Sequence, residues 1–206
     1  AGPTIEPIDP VRFLSNRSSG KQGFALAASL SALGADVQLI SGPVALPDPP
    51  GVTVTRIETA GELLRACEAA LPASVAICVA AVADWRPAAA ADRKVKKDAI
   101  AGTPPPLVLV ENPDILAHLS KKGPKRPKLV VGFAAETDDL ERHAAAKLTK
   151  KGCDWIIAND VSGDVMGGDR NEVAILTAKG IERLPQMAKT AVADALAQRI
   201  AQALGT

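Results

Sequence analysis

Short apolar runs alternate along the chain with segments that have the spacing of amphipathic helices. The apolar runs predict strands at 37–40, 52–57, 75–82, 129–133 and 155–158. The helical patterns predict helices at 19–33, 62–71, 115–121, 139–151 and 187–204. Strands that alternate with helices indicate an α/β fold with a mostly parallel sheet and helices on both faces.

Four stretches add detail to this pattern. The fully apolar run at 75–82 predicts a central strand that is buried on both faces. The runs at 173–176 and 181–184 predict a hairpin close to the C-terminus. Residues 86–106 are rich in Ala, Lys and Pro and predict a long, flap-like loop of the kind that is often functional. Residues 1–4 look like the loop after a strand, so we expect an opening strand to precede Ala1.

The composition excludes several classes of protein. Hydrophobic residues make up 47% of the 206 residues and the net charge is +1, so no basic excess indicates a nucleic-acid partner. No apolar run reaches membrane-spanning length and no secretory signal is visible, so we expect a cytoplasmic protein without a membrane partner. The three cysteines lack a CxxC spacing, which argues against a zinc site or a disulfide framework. The absence of Tyr and of a GxGxxG fingerprint excludes a short-chain dehydrogenase.

Candidate ligand-binding residues lie where predicted strands end, because parallel sheets bind ligands at the carboxyl ends of their strands. Ser18 and Gly20 lie at a helix start, which suits either a phosphate cradle or an ordinary helix cap. Asp84 follows the most apolar strand and could bind a ribose hydroxyl, a metal or a base edge, or simply cap a turn. The small residues of 132–137 let a flat ring approach the backbone.

Three lysines are further candidates. Lys94 belongs to a basic run in the long loop, where it could close over a triphosphate, although such runs are commonly solvated surface. Lys147 and Lys151 are spaced i, i+4 and therefore share one face of a predicted helix. Pro113 and Asp114 stand at a predicted helix start, which is ordinary capping chemistry.

Several motifs occur together and in a fixed order. They are AGPT (1–4), DPVRFLSNRSSGKQG (9–23), SGPV (41–44), AAVADWRP (80–87), KVKK (94–97), NPDIL (112–116), GFAAET (132–137) and AND (158–160). This combination resembles the bacterial phosphopantothenate–cysteine ligase family, usually the second half of a fused decarboxylase–synthetase. Arg17 and Trp85 depart from the family pattern, where His and Tyr are common.

The resemblance implies a Rossmann-like ligase domain over residues 1–206 that forms a homodimer. It also implies Mg²⁺ and CTP, with phosphopantothenate and cysteine as the other substrates. CTP would cytidylylate the carboxylate of phosphopantothenate and release pyrophosphate, and the amine of cysteine would then expel CMP. A flavin-dependent decarboxylase half is expected upstream. A non-catalytic nucleotide-binding module is the alternative.

The resemblance also implies roles for individual residues. It assigns Lys94 to acyl-cytidylate formation and Asn16 to its conversion into the amide, with Arg12 in the same motif. The nucleotide is expected to contact Cys78, Val79, Ala80, Asp84, Pro113, Asp114, Ile115, Leu116, Phe133, Lys147 and Lys151. Ser18 and Gly20 are the expected anion cradle. The metal ligands stay unassigned.

Overall fold

The computed structural model describes residues 1–96, 106–136, 140–160 and 170–205. Part of the long segment 86–106, the last residue of the 132–137 motif and the predicted start of the helix at 139 lie outside the described residues. The helices are α1 (Lys21–Ala32), α2 (Ala60–Ala69), α3 (Ile115–Ser120), α4 (Leu140–Lys151) and α5 (Lys189–Leu204). The strands are β1 (Ile5–Pro7), β2 (Phe13–Ser15), β3 (Val37–Ser41), β4 (Val52–Arg56), β5 (Val75–Cys78), β6 (Trp85–Pro87), β7 (Leu109–Glu111), β8 (Leu129–Glu136), β9 (Trp155–Asp160), β10 (Arg170–Thr177) and β11 (Gly180–Ala188).

The main sheet has five strands in the order β11-β10-β9-β8-β5. Strands β5, β8 and β9 are parallel, and β10 and β11 form the predicted antiparallel hairpin at one edge. Alternate residues of β8 face opposite sides, as the two-residue period of a strand requires. Val131 packs with Leu26 of α1 and Leu196 of α5, whereas Val130 packs in the cluster that contains Leu116 of α3 and Ala144 of α4. The predicted α/β architecture with helices on both faces is confirmed.

Residues 1–4 connect the main sheet to a separate parallel pair formed by β3 and β4. The amine of Ala1 donates to the carbonyl of Ile40 at 2.6 Å, and the N–H of Gly42 donates to the carbonyl of Ala1 at 3.0 Å. On the other side, the N–H of Ala81 donates to the carbonyl of Gly2 at 2.9 Å. The segment therefore lies between β3 and the chain that follows β5. The expectation of a strand before Ala1 stays a prediction.

The apolar run predicted as a strand over 75–82 forms a strand over Val75–Cys78, which pairs in parallel with β8 and has half-buried residues. Beyond Cys78 the chain turns to the 1–4 segment, and Pro3 and Ala81 form a parallel bridge. The partner of a strand is set by long-range pairing, which an apolar run does not encode.

Two small antiparallel pairs were not predicted from the pattern. Strand β1 pairs with β2, and β6 pairs with β7. They lie next to each other, because strand β1 also contacts β6. These three-residue strands place residues 8–16, 82–96 and 106–112 at the same end of the molecule, where the candidate site lies.

Candidate active site

A cavity of about 1050 Å³ opens beside the carboxyl ends of β5 and β8. One part of it is apolar and runs between β3 and β5, and the other part carries polar side chains. The eleven residues that the family resemblance assigned to the nucleotide all line this cavity: Cys78, Val79, Ala80, Asp84, Pro113, Asp114, Ile115, Leu116, Phe133, Lys147 and Lys151. They come from four separate regions of the chain, which the fold brings together.

The polar wall of the cavity is organised around Asp114. Its carboxylate caps α3 by accepting from the N–H of Ala117 at 3.0 Å, and it pairs with the ammonium group of Lys151. Burial opposes ionisation of this carboxyl, but the hydrogen bonds from Lys151 and Ala117 outweigh that effect and lower its pKa. One turn earlier on α4, Lys147 Nζ donates to the carbonyl of Phe133 at 3.3 Å. The two lysines thus share one helix face, as their spacing predicted.

The strand end that carries Asp84 is fixed by three polar side chains. Asn16 Nδ2 donates to the carbonyl of Val82 at 2.9 Å, and Asn112 Nδ2 donates to the carbonyl of Ala83 at 2.8 Å. The hydroxyl of Thr4 accepts from the N–H of Ala83 at 3.0 Å. Asp84 itself is exposed at the mouth of the cavity. Asn16 is therefore a neighbour of the cavity rather than part of its lining.

The first turn of α1 forms the adjoining wall. Gly20 stands at the N-cap with φ of 72°, a conformation that favours glycine, and Ser18 Oγ accepts from its N–H at 3.3 Å. A Cβ on Gly23 would lie 2.6 Å from the Cβ of Ala1 and 3.5 Å from that of Val79, so the helix packs closely on the cavity. Ser18 and Gly20 thus lie near the cavity but outside its lining.

Arg12 contacts Val95, the residue that follows Lys94. The guanidinium of Arg12 pairs with Asp9 and donates to the carbonyl of Val95 at 2.8 Å. Lys94, next to Val95, has an exposed side chain and does not line the cavity.

Sequence reasoning singled out neither Asp9, Thr4 nor Asn112 as a site residue. All three lie inside the quoted motifs, and this position is the signal that could have identified them as site residues. Their roles depend on contacts across 86 residues for Asp9, 79 for Thr4 and 29 for Asn112, which the sequence does not display.

A magnesium ion that accompanies a nucleotide usually takes one or two protein carboxylates together with phosphate oxygens. Asp84 at the cavity mouth fits that requirement, whereas Asp114 is already paired with Lys151. Within the described residues, no three His, Cys, Asp or Glu side chains cluster in a way that could hold a metal by themselves. In the same residues, no helix is long and apolar enough to cross a membrane.

The fold and cavity define a Rossmann-like α/β domain with a ligand site at the carboxyl ends of its strands. The family model described as "DNA/pantothenate metabolism flavoprotein C-terminal domain" matches residues 1–204. The chain belongs to this family, and the resemblance seen in the sequence motifs is confirmed.

Individual relatives agree with this assignment. The coenzyme A biosynthesis bifunctional protein CoaBC of Escherichia coli is 44% identical over 203 residues, which is 97% of this chain and 50% of that protein. The chain spans about half the length of the curated relatives it matches. A crystal structure of the C-terminal domain of a CoaBC protein has a TM-score of 0.80 at 35% identity and covers 100% of this chain and 93% of that one. A Cab2 mutant in complex with phosphopantothenate-cysteine shares the fold, with a TM-score of 0.77 at 16% identity over 100% of this chain and 87% of its own.

Proposed function

We propose that this domain is a CTP-dependent ligase that joins phosphopantothenate to cysteine in coenzyme A biosynthesis. The observation that carries the proposal is one cavity lined by eleven of the fourteen residues expected to bind the nucleotide, with Ser18, Gly20 and Lys94 outside the lining. Membership of the family supports it, because the bifunctional relatives act in coenzyme A biosynthesis. The solved complex with phosphopantothenate-cysteine adds that a protein of this fold binds the product of such a reaction.

The chemistry requires activation of a carboxylate, which is a poor acyl donor. A carboxylate oxygen attacks the α-phosphorus of CTP, pyrophosphate leaves, and an acyl-cytidylate forms. The amine of cysteine then attacks the acyl carbon, and CMP leaves with the oxygen that came from the carboxylate. Each step develops negative charge on phosphate oxygens, so fixed cations and hydrogen-bond donors are the groups that accelerate it.

Candidate cations come from two regions of the chain. Lys147 and Lys151 line it on α4, and both are already oriented, by the carbonyl of Phe133 and by Asp114 respectively. Lys94 is exposed on the segment after β6. We assign Lys94 to the departing pyrophosphate, Lys147 and Lys151 to the bound nucleotide, and Mg²⁺ to Asp84 and the phosphates, where it would neutralise charge.

Asn16 is assigned to the second step. Its amide nitrogen already donates to the carbonyl of Val82, which holds the side chain at the strand end beside Asp84. A group held in this way can orient the acyl carbonyl for attack by cysteine without taking part in triphosphate chemistry. Ser18 and Gly20, at the start of α1, are assigned to the phosphate group of the pantothenate substrate or of the nucleotide.

The test measures the two half-reactions separately. Lys94→Gln should form no acyl-cytidylate, whereas Asn16→Asp should consume CTP once per site and accumulate the intermediate, which mass spectrometry detects. Loss of one positioned donor costs about 10²–10³ in rate. Lys179→Gln, in the turn between β10 and β11, is the matched control and should react like the parent.

The alternative of a non-catalytic nucleotide-binding module makes the opposite prediction. Such a module would bind CTP yet release no pyrophosphate when phosphopantothenate and cysteine are both present. Parental rates in both Lys94→Gln and Asn16→Asp would contradict the roles given to these residues and leave the family assignment unchanged.

We further propose that the domain works as a homodimer. The described residues include eight exposed large apolar side chains, and six of them lie on or beside the two small antiparallel pairs: Val11, Phe13, Trp85, Leu107, Val108 and Leu109. An apolar patch of this kind commonly marks a protein interface. A second copy of the chain is the proposed occupant, because the family resemblance implies dimers.

The cellular context is also proposed. The chain matches half of proteins named bifunctional, which supports a partnership with a flavin-dependent decarboxylase half. The relatives are coenzyme A biosynthesis proteins of bacteria, which supports placing the proposed activity in the cytoplasm.

A further inference from the structure

The side chain of Asp9, in the turn between β1 and β2, is fully enclosed. Its Oδ1 accepts from the backbone N–H groups of Val11 and Arg12, both at 2.9 Å, which closes the turn locally. Its Oδ2 accepts from Arg12 Nε at 3.0 Å and also from the N–H of Val95 at 3.1 Å. The two oxygens therefore have different tasks: one shapes the turn, and the other reaches a segment 86 residues away.

The contact with Val95 is two-sided. While Asp9 accepts from its N–H, Arg12 Nη2 donates to its carbonyl at 2.8 Å. We refer to the side chains of Asp9 and Arg12 around the backbone of Val95 as the Asp9 clamp. A second hydrogen bond holds the chain on the N-terminal side of Lys94, where the N–H of Ala91 donates to the carbonyl of Ile8 at 2.9 Å. The backbone that carries Lys94 is thus held at both ends, while the lysine side chain stays exposed.

We propose that Asp9 and Arg12 are positioning residues that fix the point from which Lys94 reaches the triphosphate. This inference rests on the proposed function. A lysine on a loop without anchoring contacts samples many positions in every turnover. A lysine whose backbone is anchored samples fewer positions, so its side chain is more often close to its target. Arg12 contributes to this anchor through its bond to the carbonyl of Val95, besides the catalytic place beside Asn16 that the family motif gives it.

Asp9→Asn separates the two tasks of the carboxylate. The amide oxygen can still accept from Val11 and Arg12, so the turn persists. The amide nitrogen replaces Oδ2 and faces the donors of Arg12 and Val95, so the clamp opens. In single-turnover experiments we expect acyl-cytidylate formation to slow by about 10²-fold, the size of effect that a small misplacement can cause. CTP affinity should stay parental, because Asp9 does not line the cavity.

The matched control is Glu182→Gln, which breaks another carboxylate–guanidinium pair, with Arg199, on β11 and α5. It should react like the parent. Val95→Pro is a second route to the same defect, because it removes the N–H that Asp9 binds and leaves the β1–β2 turn untouched. If circular dichroism shows that Asp9→Asn does not fold, Val95→Pro is measured in its place.

A double-mutant cycle identifies the route of the effect. Because Lys94→Gln forms no acyl-cytidylate, the second background is Lys94→Arg, which keeps a cation at this position. If the clamp acts through Lys94, Asp9→Asn should slow the step much less in the Lys94→Arg background than in the parent. An equal loss in both backgrounds overturns the inference, and so does a parental rate in Asp9→Asn or Val95→Pro. If the parent itself forms no acyl-cytidylate, the proposed function fails instead, so the two failures are distinguishable.

Discussion

Gly132 of β8 has no room for a side chain. A Cβ at this position would lie 2.5 Å from Leu116 Cδ2 and 2.9 Å from Ile156 Cδ1, and both of these residues are buried. Gly132→Ala therefore forces Leu116 or the strand to move. Overpacking of this kind costs about 1–3 kcal/mol of the free energy of unfolding. For a domain of this size each kcal/mol lowers Tm by about 2–4 °C, so we expect Tm to fall by about 2–12 °C.

The same substitution should weaken nucleotide binding. Leu116 lies in the first turn of α3, two residues after Asp114, whose carboxylate caps that helix and holds Lys151. A displaced Leu116 moves this wall of the cavity. Thermal unfolding followed by circular dichroism gives the stability, and calorimetric titration with CTP gives the affinity. Gly123→Ala is the matched control, because a Cβ at position 123 would meet nothing within 4 Å.

A double mutant tests the packing argument directly. Leu116→Ala alone should cost about 2–5 kcal/mol through the cavity it leaves. Combined with Gly132→Ala it should cost less than the sum of the two single changes, since the new methyl group then occupies vacated space. Strict additivity, or a Gly132→Ala protein that unfolds at the same temperature as Gly123→Ala, would refute the reasoning.

Three further predictions address the nucleotide, the assembly and pH. Replacing CTP by ATP should greatly slow pyrophosphate release, because a strand-end backbone that fits the cytosine edge leaves little room for a purine; equal turnover would contradict this. Sedimentation at micromolar concentration should show a dimer, and Val108→Asp, at a side chain that is 67% exposed, should yield a folded monomer. The hydrogen bonds from Arg12 lower the pKa of Asp9, so its ionised form stabilises the fold above the unfolded pKa of about 3.9 and loses that effect as pH falls through the lower folded value. The Tm difference between the parent and Asp9→Asn should therefore be constant from pH 7 to 5 and shrink below about pH 4.

The local pattern of the sequence predicted the central elements of the fold. The strands β8 and β9, the hairpin of β10 and β11 and the helix α5 lie where apolar spacing placed them, within a few residues at their ends. These elements bury their apolar faces against one another, so the spacing of apolar residues in each of them indicates which face is buried. In contrast, β1, β2, β6 and β7 are three residues long and include Pro7 and Pro87. Their pairing is long-range, and a three-residue strand has too little alternation to be recognised.

Some residues of the candidate site were likewise predicted from the sequence, and others were not. The rule that ligands bind at the carboxyl ends of parallel strands pointed to Asp84 and to residues 132–137 from the sequence alone. The motifs extended this to a residue set that the fold brings to one cavity. Asp9 was not predicted as a site residue, because its proposed role depends on the contact with Val95. Nothing in the sequence near Asp9 indicates that contact.

The thiol of Cys78 could compete with the substrate amine for an activated acyl group. The thiol lines the cavity, and a thiolate there would capture the acyl-cytidylate in place of the substrate amine. Burial, and to a smaller extent the neighbouring Cys67, raises the pKa of Cys78 to about 12. At neutral pH the thiol is therefore protonated and a poor nucleophile. In the proposed reaction, this sulfur can therefore lie against the nucleotide as a small apolar surface, because the burial that makes the surroundings apolar also makes the thiol unreactive. The proposed catalysis then rests on orientation and charge neutralisation, which are the tasks proposed for Asn16 and Lys94.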